Sequence, residues 1–230
     1  MDTKNLDIVY FVKDGHRNEE FRYSLRSVCK NMEYNRVWVF GGCPKNITPD
    51  VRIRVEQTGK TKWDKVRNMF LMACGNKELT DDFILFNDDF FIMQPMKKIE
   101  PLYRCTLEDH LKVLGAGPYR NLLKEMKEEL EARKKTTFSY ELHTPFIFNK
   151  KKLMKLIKDN PDLHCTRTMY GNINKIGGTR SNDVKVFSSR PSFDYKNSPL
   201  LSTDDSIVNV NNDVWRYITK QFQGNCKYES

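Results

Sequence analysis

Apolar segments of strand length alternate with amphipathic segments of helix length through the first third of the chain. The apolar segments are LDIVYFV at Leu6–Val12, RVWVF at Arg36–Phe40 and FILF at Phe83–Phe86. Between them, residues 18–31 and 62–74 carry apolar residues at helical spacing. Continuous apolar runs are typical of strands that are covered on both faces, as in a parallel sheet. The alternation therefore predicts an α/β fold with a mixed, mainly parallel sheet flanked by helices.

The remaining elements are predicted from shorter or more polar patterns. In chain order, the remaining elements are a strand at Val51–Val55, polar helices at 107–113 and 119–135, an apolar segment at Leu142–Phe148, the amphipathic KKLMKLI, a loop-rich stretch at 171–199 and a helix ending near Phe222. Ser202–Asp205 contains two aspartates, which are favoured caps, and we expect this segment to cap the last helix.

Length and composition favour one globular domain over residues 1–230. The chain is 39% hydrophobic and 12% aromatic, and its 230 residues are enough for one substantial core. The formal charge of +9 produces a positive surface field. Such a field favours anionic partners, among them nucleotides, anionic glycans and nucleic acid.

The cysteines and the N-terminal segment indicate a reducing compartment. The six cysteines are scattered without a Cys-x-x-Cys pair, which is typical of free thiols rather than of a zinc site or a disulfide framework. The first apolar segment ends at Lys13 and is too short for a signal sequence or a membrane span. We therefore expect a cytoplasmic protein without a membrane span.

The doublet Asp88–Asp89 lies within the apolar segment FILFNDDFFIMQP, Phe83–Pro95. In open α/β sheets, ligands bind at the carboxyl ends of strands, where this doublet is predicted to lie. Two carboxylates suit Mg²⁺ or Mn²⁺, which prefer oxygen ligands and retain positions for diphosphate oxygens. Alternatively, Asn87 and the doublet form a turn, since Asn and Asp are favoured turn residues. The flanking apolar residues count against an ordinary turn, because a buried carboxylate is costly unless it is ligated or hydrogen-bonded.

Of four other polar features, one has an ordinary interpretation alone and three have both an ordinary and a functional one. Asp81–Asp82 precedes the same strand and is interpreted as a turn, while Asp204–Asp205 either caps a helix or contributes to acceptor or metal binding. His143 is either a hydrogen-bonded core residue or a general base. Arg180 follows two glycines and is either a surface residue or a phosphate ligand, since its planar fork matches phosphate geometry.

Four sequence blocks occur in a characteristic order. They are DIVYFVKDG, NEEFRYSLRSV with FILFNDDFFI, HTPFIFNKKKLMKLI and RSNDV. In this order they resemble the Stealth family of hexose-1-phosphate transferases, which includes bacterial capsule polymerases and a lysosomal-enzyme GlcNAc-1-phosphotransferase. The resemblance spans Asp7 to Val184. One departure is Phe11–Lys13, where the family usually has a tryptophan before Val-Asp-Gly.

The resemblance implies a GT-A-like nucleotide-diphospho-sugar transferase fold. Residues 1–100 would form its nucleotide- and metal-binding half, and residues 101–230 its helical, acceptor-side half. The family pattern implies that Asp14 and Asp88–Asp89 organise the metal and the diphosphate, with Asp89 also contributing to catalysis. Gly15 and Asn87 would lie on the same nucleotide side.

The resemblance also assigns the residues that act on the transferred phosphate. It makes His143 the candidate base and Arg180 a clamp on that phosphate. Arg22 and Arg26 lie one helical turn apart and could meet either nucleotide phosphates or buried carboxylates such as Asp14. We favour the second interpretation, because arginine is well suited to buried ion pairs.

These residues lead to one favoured function and two alternatives. In the favoured function, the donor is a nucleotide sugar such as a UDP-sugar, and a hydroxyl of a glycan or polyanionic acceptor attacks its β-phosphorus. The product would be a sugar-1-phosphate diester, with release of a nucleoside monophosphate. One alternative is a glycosyltransferase of the GT-A kind that releases a nucleoside diphosphate. The other is a basic nucleic-acid-binding protein, although no recognised nucleic-acid motif accompanies the charge.

Overall fold

The computed structural model describes residues 1–15, 17–56, 61–162, 164–187, 191, 193–208 and 211–230. Its strands are β1 Asp7–Val12, β2 Val37–Gly41, β3 Val51–Ile53, β4 Asp82–Phe86, β5 Phe90–Ile92, β6 Leu102–Tyr103, β7 Phe146–Asn149, β8 Thr179–Arg180, β9 Lys185–Val186 and β10 Leu200–Thr203. Its helices are α1 Glu19–Asn31, α2 Lys62–Gly75, α3 Leu107–Val113, α4 Pro118–Ala132, α5 Lys150–Asp159, α6 Thr166–Ile173 and α7 Asp213–Gln221, with a 3-10 helix at Asp205–Ile207.

The main sheet has the strand order β3-β2-β1-β4-β7 within the described ranges. β1 pairs in parallel with β2 on one side and with β4 on the other, so Ile8 lies level with both Val37 and Ile84. β3 extends the parallel pairing at one edge, whereas β7 runs antiparallel to β4 at the other. The prediction of a mixed, mainly parallel sheet flanked by helices is confirmed.

Both faces of the main sheet are covered, which explains the uninterrupted apolar strands. Val9 of β1 belongs to a core cluster with Phe70 of α2, whereas its neighbour Ile8 belongs to a second cluster with Phe21 of α1. Successive strand residues point to opposite faces, so a strand between two helical layers requires apolar residues at every position. The side chain of Asn18, a residue type favoured at helix N-caps, accepts from the Phe21 amide and caps α1.

A second sheet of β5, β10 and β9 lies beyond the end of β4. β10 is antiparallel to β5 and parallel to β9, which places Ser202 opposite both Phe90 and Lys185. The short lengths of β5 and β10 explain why the sequence pattern does not predict these two strands. Because β10 pairs with β5, residues from the second half of the sequence lie beside the residues that follow β4. The two halves of the sequence are therefore interleaved in the fold.

No helix in the described ranges is long and apolar enough to cross a membrane.

Two predicted elements in the second half are wrong. Part of the stretch interpreted as loop belongs to α6, where Gly171 packs so closely against the Tyr140 ring that a Cβ would overlap it. Glycine weakens a helix prediction, but it is required here for packing. Asp204 caps the 3-10 helix, and α7 is instead capped by Asn212, whose Oδ1 accepts from two α7 amides.

Candidate functional site

The loop after β1 and the turn after β4 lie at the carboxyl edge of the main sheet. Asp14–Gly15 follows β1 and is exposed. Gly42, after β2, approaches the backbone of this loop so closely that a Cβ would overlap the Lys13 carbonyl oxygen and lie 2.8 Å from Asp14 Cα. Glycine is thus needed for the approach, which holds the Asp14 loop against the end of β2.

Asn87, Asp88 and Asp89 form the turn between β4 and β5, where Asp88 is half-buried and Asp89 is buried. Asp88 Oδ2 accepts a 2.6 Å hydrogen bond from Asn18 Nδ2, while Asn18 Oδ1 caps α1. Burial raises the pKa of Asp88 despite this hydrogen bond, and the nearby Asp89 charge adds to the rise. The turn and the carboxylate-site interpretations of Asn87–Asp89 thus both apply in part, because these residues form a turn and two of them are carboxylates at least half-buried in the protein.

Asp89 is buried and anchors the second sheet to this turn. Its Oδ2 accepts from Lys185 Nζ and from Ser202 Oγ, each at 2.8 Å. The Asp89 and Lys185 side chains are only 11% and 15% exposed, so the pair is largely removed from water. Within the described ranges, Asp89 Oδ1 has no hydrogen-bond partner.

Glu20, in the first turn of α1, adds a further carboxylate. Its Oε1 accepts from Thr203 Oγ1 at 2.5 Å. Burial, together with the charges of Asp89, Asp88 and Asp205, raises the pKa of Glu20 to about 7. We call Glu20, Asp88, Asp89 and Asp205 the acidic pocket, in which Asp89 is buried, Glu20 and Asp88 are half-buried and Asp205 is exposed. Its carboxylates repel one another, and a bound cation would relieve that repulsion.

The acidic pocket offers few ligands of its own for a metal ion. Among the residues that the structure describes, no group of three or more His, Cys, Asp or Glu side chains is arranged to hold a metal. Asp88 and the free Oδ1 of Asp89 could supply two ligands. Mg²⁺ is commonly held by one or two carboxylates together with substrate phosphates and water. The donor set therefore fits a cation that binds together with a diphosphate.

Glu20→Gln is expected to flatten the pH dependence of stability. Because the pKa of Glu20 in the folded protein is about 7 rather than the ordinary 4.5, folding favours the protonated form, and stability falls as the pH rises between these values. Without this loss, the variant should be more stable than the wild type by on the order of 2 kcal/mol near pH 8, and no more stable near pH 4. Urea denaturation at both pH values measures this difference. An equal difference at both would contradict it.

His143 is oriented by Asp183. Its Nδ1 lies 2.9 Å from Asp183 Oδ2, and its backbone amide donates to Oδ1 at 3.1 Å. The Arg104 guanidinium forms an ion pair with the same carboxylate. Burial alone would raise the pKa of Asp183, but the hydrogen bonds from His143 and the Arg104 charge outweigh it and hold the pKa at about 2. An ionised Asp183 favours the tautomer with the proton on Nδ1, which leaves Nε2 as an acceptor.

The segment Asp183–Phe187 connects His143 to the acidic pocket, and we call it the bridging segment. At one end Asp183 holds His143, and two residues later Lys185 pairs with Asp89. The Phe187 ring centroid lies 6.4 Å from that of His143 and 5.9 Å from Lys185 Nζ. The base and acidic residues predicted from distant blocks are thus connected through one short stretch of chain.

Arg180 lies away from these contacts. It is exposed at the end of β8, and its Nε donates to the Arg104 carbonyl oxygen at 3.2 Å. The pKa of the exposed Asp109 is lowered mainly by its hydrogen bonds with Lys112 and Thr106, and the Arg180 charge makes the smallest contribution. Arg180 is connected to His143 indirectly, through Arg104 and Asp183.

Arg167 of α6 is a cation that the sequence pattern did not single out. Its Nη1 donates to the carbonyl oxygens of Leu142 and Thr144 at 2.7 and 2.8 Å. The guanidinium carbon lies 5.5 Å from the Phe90 ring centroid. Burial lowers the pKa of Arg167, and the negative charges of Glu141, Asp89 and Asp183 oppose that shift.

Arg167 therefore lies within reach of the charges of both the acidic pocket and the His143–Asp183 pair. Among the described residues, no carboxylate forms an ion pair with it. The sequence did not identify Arg167, because α6 was not predicted and a single arginine outside a recognised motif forms no pattern with other residues. Glu20 and Lys185 were missed for a similar reason, since their roles depend on strand pairing in the second sheet.

Arg22 and Arg26 pair with a buried carboxylate near the C-terminus, and the expected ion pair with Asp14 is not formed. Arg26 Nη2 lies 2.6 Å from Glu229 Oε1, and Arg22 Nε lies 3.7 Å from the same oxygen. The Glu229 side chain is 1% exposed. Burial would raise the pKa of Glu229, but the Arg26 hydrogen bond and the neighbouring charges lower it overall. The partner was missed because Glu229 lies about 200 residues away in sequence.

Arg26→Ala is expected to destabilise the protein, because it leaves the Glu229 carboxylate buried without its main partner. Loss of one member of a buried ion pair costs about 3 kcal/mol or more. The matched control is Lys30→Ala, one turn further along α1, where an exposed ammonium contacts the Gln221 carbonyl oxygen and the Phe222 ring. Thermal unfolding measures both variants. Weaker nucleotide-sugar binding without lost stability would instead indicate that Arg26 contacts phosphate.

Comparisons with known proteins give a partial structural likeness. No protein-family model matches the sequence, and a search of curated proteins finds no match. Two crystal structures of the glycosyltransferase GlyE from Streptococcus pneumoniae, one of them the apo form, resemble the fold with TM-scores of 0.36 and 0.34 and sequence identities of 8% and 9%. These matches cover 77% and 79% of this chain and 45% of each GlyE chain. The chain thus corresponds to less than half of GlyE, and the function is argued below from its own residues.

Proposed function

We propose that this protein transfers a sugar-1-phosphate from a nucleotide-diphospho-sugar to an acceptor hydroxyl. The observation that carries the proposal is the arrangement around the bridging segment, where an aspartate-oriented histidine is linked to the acidic pocket through the ion pair of Lys185 with the buried Asp89. A donor diphosphate and an activated hydroxyl must meet within such an arrangement. The four blocks that resemble the Stealth family support the same assignment.

On the donor side, the acidic pocket and the loop at Asp14–Gly15 bind the nucleotide diphosphate. A divalent cation, Mg²⁺ or Mn²⁺, would be held by Asp88 and Asp89 and would neutralise charge on the diphosphate. Asn18 fixes the Asp88 carboxylate through its 2.6 Å hydrogen bond, and Lys185 fixes that of Asp89 at 2.8 Å. The protein thereby orients its ligands before the donor binds.

On the acceptor side, His143 Nε2 accepts the proton of the attacking hydroxyl. Asp183 holds the ring in the required tautomer and stabilises the imidazolium that forms. The acceptor oxygen forms a bond to the β-phosphorus while the bond from that phosphorus to the bridging oxygen breaks. The nucleoside monophosphate leaves with the electron pair of the broken bond, and the sugar-1-phosphate remains on the acceptor as a diester.

Arg167 supplies positive charge to the phosphate being transferred. Arg167 is half-buried, its guanidinium contacts carbonyl oxygens and aromatic rings, and the carboxylates that influence it lie on both sides of the proposed reaction centre. Charge that develops on phosphate oxygens is stabilised most strongly by a preorganised cation in a site of low polarity. Arg180, which the family resemblance suggested for this role, would have to move from its contact with the Arg104 carbonyl oxygen to do so.

The proposal is tested by incubating the full chain with a panel of UDP-, GDP-, CDP- and ADP-sugars and simple glycoside acceptors. We expect donor consumption with Mn²⁺ or Mg²⁺ and loss of that consumption when EDTA is added. Consumption that is unchanged by EDTA would contradict the role of the acidic pocket. The absence of turnover and of metal-dependent binding with every donor would overturn the enzyme assignment. Salt-sensitive DNA binding that survives loss of Asp88 would then favour a nucleic-acid-binding protein.

A further inference from the structure

Phe187 is the most exposed aromatic side chain within the described ranges. It is 65% exposed at the end of β9, next to Val186, which is 1% exposed. Large apolar side chains are usually withdrawn from water, so an exposed phenylalanine is informative where its surroundings give it a role. The surroundings of Phe187 are the proposed base and a lysine that binds the acidic pocket.

The position of Phe187 is fixed from two directions. The bridging segment is held at Asp183 by His143 and Arg104, and at Lys185 by Asp89. Backbone pairing of β9 with β10 adds a further constraint. The Phe187 ring stands perpendicular to the His143 imidazole, with the two planes at 90°. The ring is thus exposed but held in a defined orientation beside the base, as a binding surface requires.

We propose that Phe187 is a stacking platform for the acceptor, and that the acceptor is therefore a sugar with an intact ring. This inference rests on the proposed function and defines its substrate class more closely. The apolar C–H face of a pyranose packs on the exposed aromatic surface, while a ring hydroxyl reaches His143 Nε2. A flat apolar surface with a polar group at its edge suits such an amphipathic ligand.

Two observations favour the acceptor over the donor sugar. Phe187 contacts His143, which must lie against the hydroxyl that it deprotonates. The other neighbour, Lys185, has its ammonium 2.8 Å from Asp89 and so separates Phe187 from the carboxylates assigned to the donor diphosphate. The platform therefore lies on the acceptor side of the reaction centre.

The test measures acceptor and donor kinetics for Phe187→Ala, Phe187→Leu and Phe187→Trp. With a panel of methyl glycosides as acceptors, we expect Phe187→Ala to raise the acceptor KM about tenfold, the loss that one aromatic stacking contact produces. The donor KM should remain within about twofold, since the binding energy lost is on the acceptor side. Phe187→Leu should be intermediate, and Phe187→Trp should retain low KM values. Val113→Ala, at another exposed apolar residue in α3, is the matched control and should leave all constants unchanged.

A second acceptor distinguishes loss of the stacking surface from a general effect of the substitution on His143. With glycerol as acceptor, which has no ring to stack, Phe187→Ala and the wild type should have equal KM values. An unchanged methyl glycoside KM, or the same increase with glycerol, would overturn the proposal. The nucleotide product is measured in the same reactions, so failure of the proposed phosphoryl transfer is recognised independently. If no donor is consumed, saturation-transfer NMR with the methyl glycosides still tests the platform, which predicts ring-proton signals that Phe187→Ala abolishes.

Discussion

Asp88→Asn is expected to reduce metal-dependent turnover by roughly 10³-fold, because it removes one of the two carboxylates that would hold the cation on the diphosphate. The fold should survive the change. Asparagine can still accept from Asn18, and burial disfavours the charged form of Asp88 in the absence of metal. Without metal, the variant should therefore unfold at the same temperature as the wild type or higher. Added Mn²⁺ should stabilise the wild type and not the variant.

The matched control for this change is Asp81→Asn. Asp81 directly precedes β4, whose first residue is Asp82, and its 69% exposed side chain lies at the end of this strand opposite to Asp88. We expect turnover and the Mn²⁺ response to remain at wild-type values. Equal losses in the two variants would mean that overall charge matters rather than the acidic pocket.

Asp89→Asn should affect stability as well as turnover, unlike Asp88→Asn. Comparing the two variants therefore distinguishes a carboxylate that binds the metal from one that also supports the fold. Asp89→Asn leaves the Lys185 ammonium largely buried without a carboxylate, which costs about 3–5 kcal/mol. The Asp89 variant should therefore lose both stability and turnover, whereas the Asp88 variant loses turnover alone. Thermal unfolding alongside the kinetic assay distinguishes the two.

His143→Ala is expected to lower kcat by about 10³-fold, the range found when a general base is removed. Donor binding should change little, because His143 lies on the acceptor side of the bridging segment. Added imidazole should restore part of the rate by occupying the space that the ring leaves. Asp183→Asn should also lower kcat by about 10²-fold or more, since an amide at this position no longer enforces the tautomer with a free Nε2.

His143→Ala and Asp183→Asn should differ in their effects on stability, and this difference serves as the control for their effects on rate. Asp183 also accepts from the backbone of His143 and pairs with Arg104, so its replacement should lower stability as well as rate. The His143 side chain is 35% exposed, and its removal should cost little stability. Rates that stay near the wild type in both variants would exclude His143 as the base.

The sequence predicts the scaffold of the candidate site better than its polar partners. β1 and β4 were predictable because strands buried on both faces need continuous apolar residues. The Asn18 cap was predictable because capping is a local effect. Its second bond to Asp88 was not, since it depends on how α1 packs against the end of β4.

Buried carboxylates illustrate why the remaining residues were missed. Asp7 is fully buried, yet it is satisfied by the Thr80 amide, Asn35 and Arg36 at the far end of the sheet. Glu20 is ordinary in sequence, but it becomes part of the acidic pocket through Thr203 of β10. Whether a carboxylate is structural or available to a ligand is determined by long-range partners, which local patterns do not encode.

The central claim is tested most directly by identifying the nucleotide released from the donor during metal-dependent turnover. Transfer of sugar-1-phosphate breaks the diphosphate and predicts a nucleoside monophosphate, with the phosphate retained on the acceptor as a diester. Phosphorus NMR and anion-exchange chromatography of one reaction detect both products. A nucleoside diphosphate, with no phosphodiester on the acceptor, would contradict the claim and identify the protein as a glycosyltransferase that transfers the sugar alone.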